Sequence, residues 1–218
     1  NVDFERLRDQ VGNLFGAWQS QEAPALTESP HEQSYLHLPH KSSQTHLAVA
    51  YPSVPYGAAD YYQARAAVGV LSDGMSSRLF TEVREKRGLC YSVYAVCHTV
   101  RGRGCVVCYA GTTSDRAQET LNVIVEQLQQ IEAGVLPDEL QRLKTRLKSA
   151  LIMQQESSAA RSGSIAADWY YLNRVQTLAE VRQIVEGLTC ESINKYLTEH
   201  PPASFLVVTL GPNPLEMP

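Results

Sequence analysis

The side chains best suited to chemistry in this sequence are its cysteines, its histidines and those flanking one glycine-containing turn. Cys105 and Cys108 have the C-x-x-C spacing that can bind zinc or carry redox chemistry. They lie in a run, 105–111, whose alternation reads as a strand, so the two thiols point to opposite faces. With Cys90, Cys97 and Cys190 the cysteines number five at irregular spacing, which argues against a disulfide framework. Buried apolar cysteines are the expectation. His37 and His40 are three apart, a spacing that could ligate a metal on a helix, but Pro39 lies between them in a stretch that reads as strand or loop. With His31 they read as surface histidines near a linker, so the chain is expected to hold no metal. Around Ser72-Asp73-Gly74-Met75 there is no G-x-x-x-x-G-K-[ST] pattern and no strand–turn–helix fingerprint. A plain helix-to-helix turn is the reading, and a phosphate cradle is not supported.

These residues need a scaffold, and the composition allows one. The 218 residues are 44% apolar and 19% charged, enough for a core built without disulfides. A formal charge of -4 excludes the basic stripe that grips nucleic acid. The apolar runs fall well short of the about 18–20 residues that a membrane span needs. No signal peptide or lipidation motif is visible, and the cytoplasm is the default expectation. The first residue is Asn1 rather than Met, so any targeting region is expected to lie outside this sequence.

Periodicity supplies the elements. Residues 3–18 form an amphipathic helix with Phe4, Leu7, Val11, Leu14, Phe15 and Trp18 on one face. The polar, proline-containing stretch 19–33 is a linker by composition. Short strands follow at 35–38 and 45–51, then a helix from an Asp60 cap to Leu71. Ser76 or Ser77 caps a short helix that stops at Gly88, and strands at 91–100 and 105–111 form a hairpin through the turn RGRG. Helices start near Ser114, Pro137, Thr177 and Thr189, the third with a Thr-x-x-Glu capping box. The run SFLVVTLG is a closing strand. Hairpin-paired strands with helices in separate blocks give an α+β fold, an antiparallel sheet with helices packed on one face.

The segment DGMSSRLFTEVREKRGLCYSVYA resembles the most recognisable stretch of the insulinase and processing-peptidase family of zinc metallopeptidases, in its zinc-free half. VLPDELQRLKTRLKSALIMQQESSAAR is similar to that family's long helix pair, and LTCESINKYL with FLVVTLGP to its closing helix and strand. The resemblance runs from about Asn1 to Pro212. It implies one half of a clamshell that closes over an unfolded peptide. Zinc and the general base would sit in the other half, on an inverted H-x-x-E-H motif. None of the six histidines here stands in that motif. The implied layout is residues 1–18 as the trailing helix of the zinc-binding half, 19–33 as linker, 34–212 as the C-terminal domain and 213–218 as a tail.

On the same resemblance Arg84 and Tyr91, seven apart in REKRGLCY, reach toward the scissile peptide, and Gly74 and Ser76 belong to a loop near the cleft. A guanidinium that stays charged and a rigid phenol are sound donors for an oxyanion. Taken alone, Arg84 reads as a solvated helix arginine among Glu82, Glu85, Lys86 and Arg87, and Tyr91 as a core or cross-strand aromatic. The implied partners are the zinc-binding half or a homologous subunit and an extended peptide gripped by strand pairing, with no nucleic acid and no membrane span. The activity would be zinc-dependent endopeptidase cleavage, absent from this chain alone. The alternative is a non-catalytic scaffold or partner subunit of the same fold.

Overall fold

The computed structural model describes residues 2–22 and 34–218. Residues 23–33, with most of the expected linker and His31, lie outside the described residues. The chain divides into two units, 1–32 and 33–218. The first carries α1 (Phe4–Phe15), opened by Asp3, whose carboxylate accepts the Arg6 N–H at 3.1 Å. The helix stops three residues before Trp18, and none of its residues is buried.

The second unit is a five-stranded sheet with helices against one face. Its strands are β1 (Tyr35–Pro39), β2 (Gln44–Ser53), β3 (Cys90–Val100), β4 (Arg103–Thr113) and β5 (Leu206–Gly211), in the order β1-β5-β2-β4-β3. The expected all-antiparallel sheet is mixed, because β1 pairs parallel with β5. The reason is geometric. A short connection reverses the chain between β1 and β2, and β5 inserts between them antiparallel to β2, so it must run with β1.

Alternation decides which face is covered. On β2 the residues Thr45, Leu47, Val49 and Tyr51 are buried, while His46, Ala48 and Ala50 between them are half-buried. On β4 the buried set is Val106, Cys108, Ala110 and Thr112. Cys105 therefore lies on the face opposite Cys108, as strand periodicity requires. Against the buried face pack α2 (Tyr61–Ser72), α3 (Ala117–Gln130) and α7 (Cys190–Glu199), contributing Leu71, Leu121, Ile124, Leu128 and Ile193 to one core.

The remaining helices are α4 (Pro137–Glu156), α5 (Ser158–Leu172) and α6 (Leu178–Gly187). Pro137 opens α4, and Thr177 and Glu180 cap α6 reciprocally. The sequence marks no separate helix at α5, where Ser157 accepts the Ala160 N–H and a buried Asp168 accepts from Tyr56 Oη at 2.6 Å and the Gln176 N–H at 2.8 Å. Two expected caps are spent otherwise. The Asp60 carboxylate faces His200 Nε2 at 3.1 Å, and Ser114 begins a single 3-10 turn ahead of α3. The tail is held: Tyr35 Oη accepts the Leu215 N–H at 2.7 Å, and Gln118 bonds Glu216 in both directions. Among the described residues no helix is long and apolar enough to cross a membrane.

The turn after α2 is tied to α4 by a forked ion pair. Arg78 Nε and Nη2 donate to the two Glu139 oxygens at 2.8 and 2.7 Å, and Nη2 also donates to Gly134 O at 2.7 Å. Glu139 additionally accepts the Leu136 N–H at 2.9 Å, closing the start of α4. Burial alone would raise the Glu139 pKa, but the Arg78 hydrogen bonds, the Leu136 N–H and the Arg78 charge outweigh it and hold the carboxyl below its ordinary value of 4.5. A depressed carboxylate stabilises the fold above its unfolded pKa and loses that contribution as pH falls through the folded value. Arg78→Ala is expected to destabilise the domain by about 2–3 kcal/mol at neutral pH, since it leaves a half-buried carboxylate with one donor. Urea melts at pH 7 and pH 3 check this: the gap between wild type and variant should narrow in acid. A gap that is the same at both pH values contradicts the assignment.

Candidate functional site

Arg84 and Tyr91 are seven apart in sequence and in contact in space. The guanidinium carbon of Arg84 lies 4.9 Å from the Tyr91 ring centroid and 4.7 Å from that of Phe80, so the cation sits over two aromatic faces. Two departures from regular structure produce this. The helix after the turn opens at Arg78 and runs as a π-helix over Phe80–Glu85, where the Lys86 N–H reaches back five residues to Thr81 O. On the strand side, Cys90 pairs with Thr112 and Ser92 with Gly111, leaving Tyr91 as the extra residue of a bulge. A bulge re-aims its unpaired side chain, and Tyr91 is 84% exposed.

The reversal between these elements is built on Gly88, at φ +58°. Its N–H donates to Arg84 O at 3.0 Å, and the Leu89 N–H reaches Val83 O at 2.9 Å, while Val83 and Leu89 bury their side chains. Carbonyls stranded by the turn are collected from the far side. Arg116 donates to Arg87 O and Gly88 O at 3.1 and 3.2 Å, and Thr112 Oγ1 donates to Leu89 O at 2.6 Å.

Two of the cations around Arg84 share one carboxylate. Lys86 and Arg87 both donate to the Glu82 carboxylate, at 2.6 and 2.7 Å, and those two hydrogen bonds hold its pKa below the ordinary value. Among the described residues no carboxylate forms an ion pair with Arg84. Its field is nevertheless felt by Cys90, whose thiol burial pushes up and Arg84 partly pulls back.

Gly74 and Ser76 lie elsewhere. They line a cavity of about 230 Å³ with Gly69, Asp73, Ser77 and Arg146 among its other walls, and neither Arg84 nor Tyr91 reaches it. Ser77 buries its hydroxyl without a hydrogen-bond partner among the described residues. From the sequence Phe80 reads with Leu79 and Val83 as the apolar face of the short helix, and neither Arg116 nor Thr112 is given a role. Phe80 stands four residues before Arg84, a readable helical spacing. Arg116 and Thr112 carry no local signal, because their role comes from the packing of β4 and the turn before α3 against the reversal.

For metal binding the donor set does not fit. Among the described residues no three His, Cys, Asp or Glu side chains are grouped to hold an ion. His37 lies on strand β1 with Nδ1 2.8 Å from Thr209 Oγ1, and His40 follows the strand end, so the pair does not share a helical face.

What Arg84 and Tyr91 offer is a fixed cation beside a solvent-facing phenol, two donors on one patch. The family model described as peptidase M16 inactive domain matches residues 1–147. An uncharacterized zinc protease of Bacillus subtilis strain 168, YmxG, is 26% identical over 196 residues, 89% of this chain and 48% of that protein. An uncharacterized zinc protease of Rickettsia felis is 24% identical over 216 residues, 99% of this chain and 52% of its own length. The chain thus spans about half the length of the curated relatives it matches. In fold it resembles the crystal structure of a peptidase M16 inactive domain from Pseudomonas fluorescens, with a TM-score of 0.84 at 24% identity over 100% of this chain and 53% of that one. With the family model covering well over half of its residues, the chain belongs to the peptidase M16 inactive-domain family.

Proposed function

We propose that this chain is the peptide-gripping, zinc-free part of a zinc-dependent endopeptidase acting on peptides or unfolded segments. Arg84 and Tyr91 are the donors it presents to the scissile peptide unit, and the other half of the protein supplies the metal and the general base. The observation that carries this reading is the Arg84 guanidinium, without a carboxylate ion pair among the described residues and stacked on an exposed tyrosine. An arginine kept for stability would be expected to take Glu82, which Lys86 and Arg87 occupy instead. A tyrosine kept for the core would be buried. Two relatives named zinc proteases, each about twice as long as this chain, support placing the rest of the machinery elsewhere in the protein.

In such an arrangement the guanidinium fork and the phenol hydroxyl hydrogen-bond the carbonyl oxygen as negative charge develops on it. Phe80 and Tyr91 limit the directions in which the guanidinium can swing, which reduces the entropy lost on engaging substrate. Strand addition along β3 is restricted at one point, since the Ala95 N–H already donates to Ser72 Oγ at 2.7 Å. Helix α1, with an exposed apolar stripe and a family match that starts at residue 1, is read as packing on the half that carries zinc.

Two outcomes test this. The isolated chain is expected to hold no stoichiometric zinc and to cleave no fluorogenic peptide, and one tightly bound zinc per chain would overturn the assignment. In an active protein reconstituted with the zinc-binding half, Tyr91→Phe should lower turnover about a hundredfold, roughly 3 kcal/mol of barrier, and Arg84→Ala comparably, with zinc content unchanged. Turnover at the wild-type level in both variants would favour the scaffold reading.

A further inference from the structure

Arg84 and Tyr91 stand on opposite sides of the Gly88 reversal, so their spacing depends on what holds the crest of that turn. Side-chain packing at the crest does not hold it, since a Cβ added at Gly88 would meet nothing within 4 Å. The Arg87 side chain turns back to the Glu82 carbonyl and carboxylate and stays with its own helix end. The carbonyls of the turn remain, and three in succession, those of Arg87, Gly88 and Leu89, are taken from one place.

That place is the short segment 112–116, running from the end of β4 through the 3-10 turn before α3. On the Tyr91 side, Thr112 pairs with Cys90 in the ladder and donates its hydroxyl to Leu89 O at 2.6 Å. On the Arg84 side, Arg116 Nη2 donates to Arg87 O at 3.1 Å and Nη1 to Gly88 O at 3.2 Å. Gly88 passes this hold on, because its N–H donates to Arg84 O at 3.0 Å. Thr120 ties the two ends of the segment together, with Oγ1 2.8 Å from Arg116 O and 3.2 Å from Thr112 Oγ1. Glu119 accepts from Arg116 Nη2 at 3.2 Å and steadies the fork. A cation among the last carbonyls of a helix is also favoured by the helix dipole. Among the described residues, no hydrogen bond of Arg116 goes to Arg84 or Tyr91 themselves.

We infer that Arg116 is a positioning residue for the proposed site, setting the spacing between the Arg84 guanidinium and the Tyr91 phenol through the carbonyls of the reversal. The inference rests on the reading that these two groups serve one scissile carbonyl. Two donors aimed at one oxygen tolerate little displacement, and a misplacement of about 1 Å can cost on the order of a hundredfold in rate. A planar guanidinium holds two neighbouring carbonyls in a fixed geometry, which the point charge of a lysine does not impose. The Arg116 side chain is 37% exposed, so replacing it opens no core cavity.

The test has two arms. In the full 218-residue chain the Arg84 side-chain protons lie against the Phe80 and Tyr91 rings and carry a ring-current shift in the NMR spectrum. Arg116→Ala should lose most of that shift with little change in melting temperature, and Arg116→Lys should recover part of it. In a protein reconstituted with the zinc-binding half, Arg116→Ala should lower kcat about tenfold and leave KM within about twofold of wild type. In a chain already carrying Arg84→Ala and Tyr91→Phe, the same change should add less than about a twofold loss, because the groups it positions are gone. An unchanged ring-current shift, wild-type kcat in Arg116→Ala beside a damaged Tyr91→Phe, or a full loss on top of the double variant overturns the positioning role and leaves the proposed function standing. Loss of activity in step with a large fall in melting temperature marks a merely structural arginine and overturns it too. A shift lost in Arg116→Ala alongside full turnover in Arg84→Ala and Tyr91→Phe instead overturns the proposed function, and with it the site that Arg116 would serve.

Discussion

The arrangement turns on one guanidinium held between two aromatic faces. A cation on a ring gains about 0.5–1 kcal/mol where solvent reaches it, so the stacking of Arg84 on Phe80 and Tyr91 cannot by itself impose the geometry. The backbone does that. The π-helix fixes how Phe80 and Arg84 are related, Gly88 reverses the chain, and the bulge pushes Tyr91 out of the ladder toward the cation. Each of these irregularities costs free energy locally and is offset by burial of Val83 and Leu89 in the core and by the carbonyl contacts of Arg116 and Thr112.

The same logic explains why the sheet is one-sided. Covering a single face with α2, α3 and α7 buries the alternate residues of β2 and β4 and leaves the opposite face of β3 with Tyr94 and Val96 exposed. The reversal lies at the edge of the covered layer, where Val83 is anchored inside and Arg84 faces out. One residue of helix therefore separates the core from the proposed site. The Arg78–Glu139 fork anchors the start of this helix to α4, so the stability of the domain and the position of Arg84 are linked through a few residues of chain.

Much of the scaffold was legible in the sequence. Amphipathic stripes located α3 and α4, the Thr177 box located α6, and alternation separated the faces of Cys105 and Cys108. What was not legible had particular causes. A π-helix differs from an α-helix by one residue in its hydrogen bonding and leaves no compositional mark, so Phe80–Glu85 read as an ordinary short helix. The parallel pairing of β1 depends on where β5, some 170 positions later, enters the sheet. Helix α5 lacks a clear stripe, and its buried anchor is a single aspartate. Arg84 and Tyr91 were picked out by the resemblance of their segment to a peptidase family, since their bland readings, a solvated arginine and a core tyrosine, fit the local sequence better. The geometry opposes the core reading of Tyr91, which is exposed, while Arg84, with no carboxylate ion pair among the described residues, also fits a solvated arginine apart from its stacking on Phe80 and Tyr91.

The central claim is that Arg84 and Tyr91 act on substrate as one unit. A double-mutant cycle in a protein reconstituted with its zinc-binding half measures that directly, comparing kcat/KM for Arg84→Ala, Tyr91→Phe and the double variant. If both groups serve one carbonyl, the double variant should be little worse than the more damaged single variant, an interaction free energy on the order of 1–3 kcal/mol. Losses that simply multiply, or single variants that retain full activity, would contradict the account.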